Sequence, residues 1–414
     1  MKFFFPDSQD QADPSFDFQT EGRSVHRVRQ RDDLYCHEIL GTAPYDGMLV
    51  SKAVVDGRAQ GTARYTIAQR NRLYREGVRG FLRLDDTVGQ QIAIMGDCGA
   101  FSYVRDDRPP YSVDDVIDFY ASGFDFGVSI DHVILAYDEG ADLFGIDSDL
   151  IDAEWRRRQQ ITFEFAEAFR DRCLARKVRF TPVGVAQGWS PLSYAHAVNR
   201  LQQMGYSRIG LGGMVPLKTT QILNCLKAIR PVLAEDTQLH LFGVSRCDFV
   251  NEFALCGVTS FDSTSPFRQA FKDMSDNYYT PNRNFVALRV PQVDGNATLK
   301  RRILAGEVVQ ETAMRLEQAC LKELAAFDKG TGTHAGALES LLAYERLLDG
   351  GREPHRGAYA EVLEIAPWRQ CGCAICREIG IQVMIFRGAE RNKRRGFHNV
   401  YVFNRRLHDH LAEA

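Results

Sequence analysis

The stretch FTPVGVAQGWSPLSYAHAVNRLQQMGYSRIGLGG, residues 180–213, decides the fold class. It begins with an apolar run at residues 180–185, continues through an amphipathic segment at 191–204, and ends in a second apolar run at 208–212. Apolar runs joined by a helical pattern are typical of parallel β/α units, in which the helix returns the chain to the same edge of the sheet. This stretch therefore predicts two parallel strands connected by a helix.

The same alternation extends in both directions, over residues 48–263. Apolar runs typical of strands lie at residues 48–51, 78–84, 92–96, 127–135, 180–185, 208–212, 239–244 and 258–261. Helical patterns separate many of them, at residues 112–122, 149–176, 191–204, 218–229 and 247–255. Eight strand candidates in one series fit a closed (β/α)8 TIM barrel better than a two-layer domain. We predict a barrel over residues 48–298, an N-terminal cap over 1–47, and a C-terminal region over 299–414 that begins with two helices, near 299–327 and 334–348.

The composition is that of an ordinary globular protein, with 44% hydrophobic and 25% charged residues. A formal net charge of −3 argues against indiscriminate binding to nucleic acid. No stretch approaches the ~20 apolar residues of a membrane span, and Pro6 and Asp7 interrupt the apolar start too soon for a signal peptide. We expect a soluble, cytoplasmic protein whose scattered cysteines are reduced.

A dense group of metal-ligating side chains lies near the C-terminus. Cys371, Cys373 and Cys376 are followed by His398 in the run Phe397-His398-Asn399. Three thiolates and one imidazole make a complete tetrahedral set for zinc and leave no open position for water. The residues therefore predict a structural zinc site in a C-terminal subdomain, residues 299–414. The alternatives are buried, unligated cysteines or an iron–sulfur cluster, although this tight spacing does not match the usual ferredoxin motifs.

Basic residues are concentrated around this histidine. Residues 387–406 contain seven lysines or arginines and one acidic residue, Glu390. Such a cluster can hold phosphates, or it can be the solvated face of a helix. From charge alone the two interpretations are even.

Polar residues and glycines follow the predicted strands, at the edge where a barrel of this type carries its chemistry. They are Asp97, Asp131, His132, Gln187, Gly188, Gly212, Gly213, Gly243 and Asp262. Any one of these is more often a helix cap or a turn residue. Their occurrence at successive strand ends favours a shared site.

The residue types indicate chemistry on a sugar that carries an aromatic base. The carboxylates of Asp97 and Asp262 suit displacement at an anomeric carbon, where one attacks and the other handles the proton of the leaving group. Glycines let the backbone approach a flat ligand closely, and Phe101, Phe242 and Phe261 could sandwich its faces. We therefore expect a glycosyl-transfer site at this rim.

These motifs together resemble the tRNA-guanine transglycosylases, zinc-containing barrel enzymes that exchange guanine for a 7-deazaguanine. The resemblance covers about residues 48–403 and is strongest in residues 96–101, in 260–268 and in the Cys3His segment. It implies that Asp262 attacks C1′ and holds the sugar covalently, and that Asp97 is the general acid and base.

The same resemblance implies contacts with the substrate. The residues that would bind the base are Phe101, Asp131, Gln187, Gly212, Gly213, Phe242 and Gly243. Arg268 matches an arginine near the backbone phosphate. In an enzyme acting on a polynucleotide, the basic cluster becomes the expected phosphate-binding surface, through Arg391, Lys393, Arg394 and Arg395.

Departures from the family motifs indicate a particular branch. Lys218 stands where the bacterial tRNA enzymes carry a glutamate that favours an aminomethyl cation on the incoming base. Because Lys218 would repel that cation, we expect the neutral 7-cyano-7-deazaguanine, preQ0, as incoming base. With Cys98, Ala100, Ser102 and Trp189, which also depart from the family motifs, this resembles the DNA-modifying branch, which inserts preQ0 in place of guanine in DNA.

Two alternatives stay open. A tRNA-guanine transglycosylase of queuosine or archaeosine synthesis would use the same residues. A non-catalytic nucleic-acid-binding subunit would keep the fold, but it would not need Asp97 and Asp262, both of which are present. The residues do not distinguish single-stranded from double-stranded DNA, and they leave open whether an ATPase partner takes part.

Overall fold

The computed structural model describes residues 1–58, 65–272 and 276–412. The chain divides into two compact units. The barrel unit contains residues 1–9, 45–264 and 406–414, and the helical unit contains residues 10–44 and 265–405.

Short parallel strands form the centre of the barrel unit. They are β1 (Lys2–Pro6), β2 (Gly47–Ser51), β3 (Ala93–Asp97), β4 (Phe126–Val128), β5 (Thr181–Ala186), β6 (Arg208–Leu211), β7 (Gln238–Leu241) and β8 (Val258–Asp262). They close into an eight-stranded barrel in sequence order. The closing pair is β1 with β8, where Phe4 is in register with Asp262. The predicted (β/α)8 fold is confirmed.

Helices follow most of these strands and make up much of the helical unit. In chain order they are α1 (Cys36–Leu40), α2 (Lys52–Val55), α3 (Ile67–Leu82), α4 (Val113–Tyr120), α5 (Ala153–Arg176), α6 (Pro191–Gln203), α7 (Thr219–Ile229), α8 (Val250–Leu255), α9 (Ser265–Gln269), α10 (Ala297–Leu304), α11 (Gln310–Asp328), α12 (His334–Leu348), α13 (Arg356–Ile365), α14 (Pro367–Gln370), α15 (Ala374–Ile379) and α16 (Gly388–Ala412). Among the described residues, no helix is both long enough and apolar enough to span a bilayer.

The helical unit also holds two small sheets. The antiparallel pair consists of β9 (Tyr278–Tyr279) and β10 (Asn284–Phe285), and the parallel pair consists of β11 (Leu288–Arg289) and β12 (Ile385–Phe386). The helix predicted at residues 334–348 is α12, with the same bounds. The helical pattern predicted at 299–327 is divided into α10 and α11, and Gly306 between them adopts a left-handed φ of +75°.

The start of the barrel differs from the sequence prediction. The predicted cap over residues 1–47 contains β1, which completes the barrel. The predicted strand at residues 78–84 lies largely in α3, where the buried residues Val78, Phe81 and Leu82 follow the i, i+3, i+4 spacing of a helix. The predicted number of barrel strands was therefore right, but one predicted strand was wrong. The segment at residues 78–84 is largely helical, and residues 2–6 supply the missing strand.

The end of the barrel also differs. The prediction extends the barrel to residue 298, whereas residues 265–298 belong to the helical unit. Once β8 pairs with β1, both edges of the sheet are used, and the barrel can accept no further strand.

Apolar side chains from five neighbouring strands fill the barrel. The buried cluster consists of Phe4, Leu49, Met95, Val128, Val183 and Val185. Because these apolar residues fill the interior of the barrel, the ends of the strands are where inward-pointing polar side chains can meet a ligand.

Candidate active site and metal cluster

Two strands of the barrel end in an aspartate. Asp97 is the last residue of β3, and Asp262 is the last residue of β8. The carboxyl ends of parallel barrel strands meet at one rim, and the Asp97 carboxyl group experiences the negative charge of Asp262. The two predicted catalytic residues are thus at the same rim.

The environment of Asp97 favours its protonated form. Burial raises its pKa from 3.8 to about 7, and the negative charges of Asp131 and Asp262 contribute to the increase. The backbone N–H of Gly99 donates a hydrogen bond to this carboxylate and partly opposes the shift. A carboxyl group with a pKa near neutrality can both donate and accept a proton at physiological pH.

The two oxygens of Asp262 have different surroundings. Oδ1 accepts a hydrogen bond from the Gly243 backbone N–H at 3.0 Å, and it lies 3.2 Å from Nε2 of His240. Oδ2 makes no hydrogen bond with any residue in the described part of the chain. Asp262 is 7% exposed, and one of its carboxyl oxygens is held by the protein while the other is left for a ligand.

Asp131 and Gln187, which the sequence predicts as base-recognition residues, form a buried pair. Gln187 Nε2 donates to Asp131 Oδ2 at 2.6 Å, and Gln187 Oε1 accepts from the backbone N–H of Ile134 at 3.2 Å. Cys98 Sγ donates to the other oxygen of Asp131 at 3.4 Å. Burial raises the pKa of Asp131 to about 6. These bonds fix the orientation of both side chains.

The glycines after β6 allow this pair to lie close to the backbone. A Cβ atom on Gly212 would lie 2.1 Å from Gln187 Nε2. Gly213 has a left-handed φ of +72°, and a Cβ there would lie 2.6 Å from the Ile134 carbonyl oxygen. A side chain at either position would collide with a neighbouring group, and a role of Gly212 and Gly213 in binding a base stays a prediction.

Exposed apolar groups lie on the loops that follow the strands. Phe101 is 48% exposed after β3, and Val215 is 48% exposed after β6. Val215 lies over Gly243, because a Cβ on that glycine would be 2.5 Å from Val215 Cγ2. Phe242 is half-buried. These groups provide apolar surface for a flat ligand.

Phe261 does not belong to this surface. It alternates with Ser260 and Asp262 along β8, so it points to the opposite face of the strand. Its ring is 3% exposed and stacks on Phe3 with centroids 5.6 Å apart. The expectation that Phe261 could sandwich a base is therefore wrong.

The predicted metal ligands come together in the helical unit. The ligand atoms of Cys371, Cys373, Cys376 and His398 all lie within 4.8 Å of one another. The three sulfurs lie 3.6, 3.5 and 3.4 Å from His398 Nδ1. Tetrahedral zinc, with bonds of ~2.3 Å to sulfur and ~2.0 Å to nitrogen, would place such atoms about 3.5 Å apart. The four residues fit a metal ion such as zinc.

Neighbouring groups orient these ligands. His398 Nε2 lies 2.7 Å from the Tyr279 carbonyl oxygen, so Nε2 donates there and Nδ1 is left for the metal. Tyr278 stacks on the imidazole with centroids 4.2 Å apart. The backbone N–H of Cys376 donates to Cys373 Sγ at 3.4 Å, which stabilises a thiolate.

The arginines that were expected to bind phosphate are buried. Arg391, Arg394 and Arg395 are 2%, 4% and 0% exposed. Arg391 pairs with Glu21, and Arg394 pairs with Glu390. Because these side chains are buried and their terminal N–H groups bind protein acceptors, the prediction that these three arginines contact phosphate is wrong.

The other two candidates for phosphate contact have different positions. Lys393 is half-buried and donates to the Gln11 carbonyl oxygen at 2.7 Å, so it too has a structural partner. Arg268 lies at an exposed position in α9. A role for Arg268 near a phosphate stays a prediction.

His240 and Ser260 are functional candidates that the sequence analysis missed. Both are buried polar residues within strands, and both contact the group around Asp262. A polar residue inside a predicted parallel strand was an available signal, since both faces of such a strand are covered, but the sequence does not identify its partners. The pairing register of β7 and β8 places His240 next to Ser260 and close to Asp262.

A closed (β/α)8 barrel with paired rim carboxylates, accompanied by a Cys3His cluster, defines the class of protein. No family model matches the chain. A DNA-guanine transglycosylase from Salmonella montevideo is 51% identical over 411 residues, which cover 98% of this chain and 96% of that protein. The protein is therefore an enzyme of the guanine transglycosylase class. Within that class, the chain belongs to the DNA-guanine transglycosylase family, which confirms the resemblance to the DNA-modifying branch.

The burial of Asp97 generates a prediction about stability. Between pH 3.8 and about 7 the folded protein holds a proton on Asp97 that the unfolded chain has lost, so stability falls as pH rises through this window. Asp97→Asn is neutral at every pH, so it should raise the free energy of unfolding by about 2–4 kcal/mol at pH 8 and by about 1–2 kcal/mol at pH 5.

Urea unfolding at the two pH values measures this difference. Asp236→Asn, at an exposed position before β7, is the control and should change stability by less than ~0.5 kcal/mol at either pH. An equal gain for Asp97→Asn at pH 5 and pH 8 would contradict a raised pKa as the cause.

Proposed function

We propose that this enzyme exchanges guanine in DNA for preQ0 through a covalent Asp262–sugar intermediate, as a step of 7-deazaguanine DNA modification. The observation that carries the proposal is the pair of carboxyl groups at the rim. Asp97 has a pKa of about 7. One oxygen of Asp262 is hydrogen-bonded by the protein, and the other has no hydrogen bond in the described part of the chain. The relative named as a DNA-guanine transglycosylase supports DNA as the polynucleotide.

The two carboxylates divide the chemistry between them. Asp262 Oδ2 forms a bond to C1′ while the bond from C1′ to guanine breaks, and protonated Asp97 gives its proton to the departing base. Asp97, now ionised, removes the N9 proton of preQ0. That nitrogen displaces Asp262, so the enzyme returns to its starting state. Two displacements at one carbon give net retention.

The buried pair provides recognition of the base. Each oxygen of Asp131 accepts one hydrogen bond from the protein and keeps capacity for another, so the carboxylate can accept from the N1–H and amino groups of guanine. Phe101 and Val215 offer exposed apolar surface to the faces of the base. A base in a duplex must leave the stack to reach these groups.

Lys218 supports preQ0 rather than the aminomethyl base. It lies exposed in the loop between β6 and α7, the same loop that carries Gly212, Gly213 and Val215. A positive charge on this loop disfavours a cationic substituent at position 7, whereas the nitrile of preQ0 is neutral.

Base exchange with defined substrates tests the function. Labelled guanine in double-stranded DNA, single-stranded DNA or tRNA is incubated with enzyme and either preQ0 or the aminomethyl base, and release of label is followed. We expect release from DNA that depends on preQ0. Asp262→Ala should abolish release, Asp262→Asn should form no covalent adduct, and Asp236→Asn should behave as wild type.

Each other outcome points to a different conclusion. Release from tRNA alone would replace the main proposal with the tRNA alternative. Faster exchange with the aminomethyl base would overturn the assignment of preQ0. Full activity of Asp262→Asn would overturn the nucleophile, and no release from any substrate would favour a non-catalytic subunit.

Exposed cations in the loops after the strands replace the buried arginines as candidates for phosphate contact. Arg105 follows β3, Lys218 follows β6 and Arg246 follows β7. All three are exposed, and none forms an ion pair within the described ranges of the chain. The loop between β4 and α5 is the opposite: residues 138–152 contain six acidic residues and no basic residue. Because two of the three cations follow β6 and β7, and the acidic loop follows β4, which is next to β3, the DNA backbone should approach from the side of β6 and β7.

Salt dependence of DNA binding tests these contacts. Lys218→Ala and Arg246→Ala should each weaken binding to any sequence and reduce the slope of log K against log salt concentration by about one. Lys227→Ala is the matched control, because Lys227 lies in the last turn of the helix that Lys218 precedes. Equal effects of Lys218→Ala and Lys227→Ala would show that overall charge, and not the rim, is responsible.

The Cys3His cluster holds a structural Zn²⁺ in this proposal. Its four ligands leave no position for water or substrate, so the metal supplies folding energy and no chemistry. The fit of the sulfur-to-nitrogen distances and the orienting bond from His398 to Tyr279 support zinc.

Metal analysis of a ligand variant tests this assignment. Cys373→Ser should reduce bound zinc from about one per chain to much less and lower the melting temperature. Cys320→Ser, which alters a buried thiol of the same unit outside the cluster, should keep the zinc. Unchanged zinc in Cys373→Ser would exclude the cluster as the metal site.

A further inference from the structure

A buried chain of hydrogen bonds lies behind Asp262. His240 on β7 has Nδ1 2.9 Å from Ser260 Oγ and Nε2 3.2 Å from Asp262 Oδ1. His240 and Ser260 are 3% and 4% exposed. The two strands pair so that His240 is in register with Ser260, and Asp262 lies two residues further on the same face of β8. One imidazole therefore connects both side chains.

The arrangement determines which ring nitrogen carries hydrogen. A carboxylate oxygen only accepts hydrogen bonds, so His240 Nε2 must donate to Asp262. In the neutral ring Nδ1 is then an acceptor, and the Ser260 hydroxyl can donate to it. Asp262 thus fixes the tautomer of His240, and the Ser260 hydroxyl, by donating to Nδ1, holds the ring in the orientation that serves Asp262.

Two aromatic rings hold the imidazole in place. Phe242 lies edge-on to it with centroids 4.7 Å apart, and Phe4 does the same at 5.8 Å. Rotation of the His240 ring away from Asp262 would meet one of them. The surroundings are also apolar, which strengthens the hydrogen bond from Nε2 to the carboxylate.

We propose that His240 is a positioning residue for the nucleophile, and that Ser260 acts through it. With the Gly243 N–H, His240 holds Asp262 Oδ1, so that Oδ2 is the oxygen aimed at C1′. In the covalent intermediate Oδ1 is the ester carbonyl oxygen. The same two donors then stabilise the negative charge that returns to the carboxylate when preQ0 displaces it. This inference rests on the proposed function, since it takes Asp262 as the nucleophile.

An isosteric pair of variants separates hydrogen bonding from packing. Gln and Met have similar length and volume, but only His240→Gln keeps a nitrogen donor near the position of Nε2. We expect His240→Met to lower kcat about 100-fold with the KM for preQ0 and the affinity for DNA unchanged. His240→Gln should recover to within about tenfold of wild type.

Ser260→Ala supplies a second test that removes a single oxygen. It should lower kcat about 3–10-fold in the wild-type background, because Nδ1 of His240 loses the hydroxyl that orients the ring. It should have no further effect in His240→Gln, because that variant has no Nδ1 for Ser260 to hold. This double-mutant cycle stays informative even if His240→Met does not fold.

The outcomes distinguish the two proposals. If the wild-type enzyme forms no adduct on Asp262, the proposed nucleophile and its positioning both fail. If the adduct forms and His240→Met exchanges guanine at the wild-type rate, only the positioning role is overturned. Equal losses for Ser260→Ala in both backgrounds would show that Ser260 does not act through His240.

Discussion

Closure of the barrel by β1 is the constraint on which the site depends. The pairing of Lys2–Pro6 with both β2 and β8 leaves the sheet without a free edge, and it sets Phe4 opposite Asp262. Because every strand is parallel, all carboxyl ends meet at one rim. The same register places His240 beside Ser260 and so behind Asp262. The strand pairing thus brings residues that are far apart in sequence to the same rim.

The buried carboxyl groups of Asp97 and Asp131 lower the stability of the fold when they are ionised, and the packing of the barrel compensates for this. Burial raises the pKa of Asp97 to about 7 and that of Asp131 to about 6, so ionised carboxylates in these places reduce stability. The apolar interior offsets this cost, since burying a side chain such as Phe4 stabilises the fold by about 1.5–3 kcal/mol. The shifted pKa fits the proposed role of Asp97 in proton transfer, because a carboxyl group with an ordinary pKa would be fully ionised at neutral pH.

Sequence reasoning predicted the features that depend on local pattern. The β/α alternation identified seven of the eight strands, and three cysteines with a histidine identified the metal cluster. Sequence reasoning failed where the structure of a residue depends on a partner that is far away in the sequence. Residues 2–6 become a strand only because β2 and β8 flank them. His240 contacts Ser260 and Asp262 only because β7 and β8 pair in one register, and no local signal encodes that register.

The basic segment shows most clearly why charge along the chain misleads. Residues 387–406 carry a large local excess of positive charge, yet several of their partners are distant in sequence: Arg387 and Arg391 pair with Glu21, Arg387 also pairs with Glu317, and Arg394 donates to the Asp13 carbonyl oxygen. Arg395 has only carbonyl oxygens and an amide as acceptors, and burial lowers its pKa to about 9. A buried guanidinium that lost these acceptors would be strongly destabilising. The segment therefore organises the helical unit around His398 of the Cys3His cluster, and exposed charge has to be sought in short loops, where a side chain can reach water without leaving a partner behind.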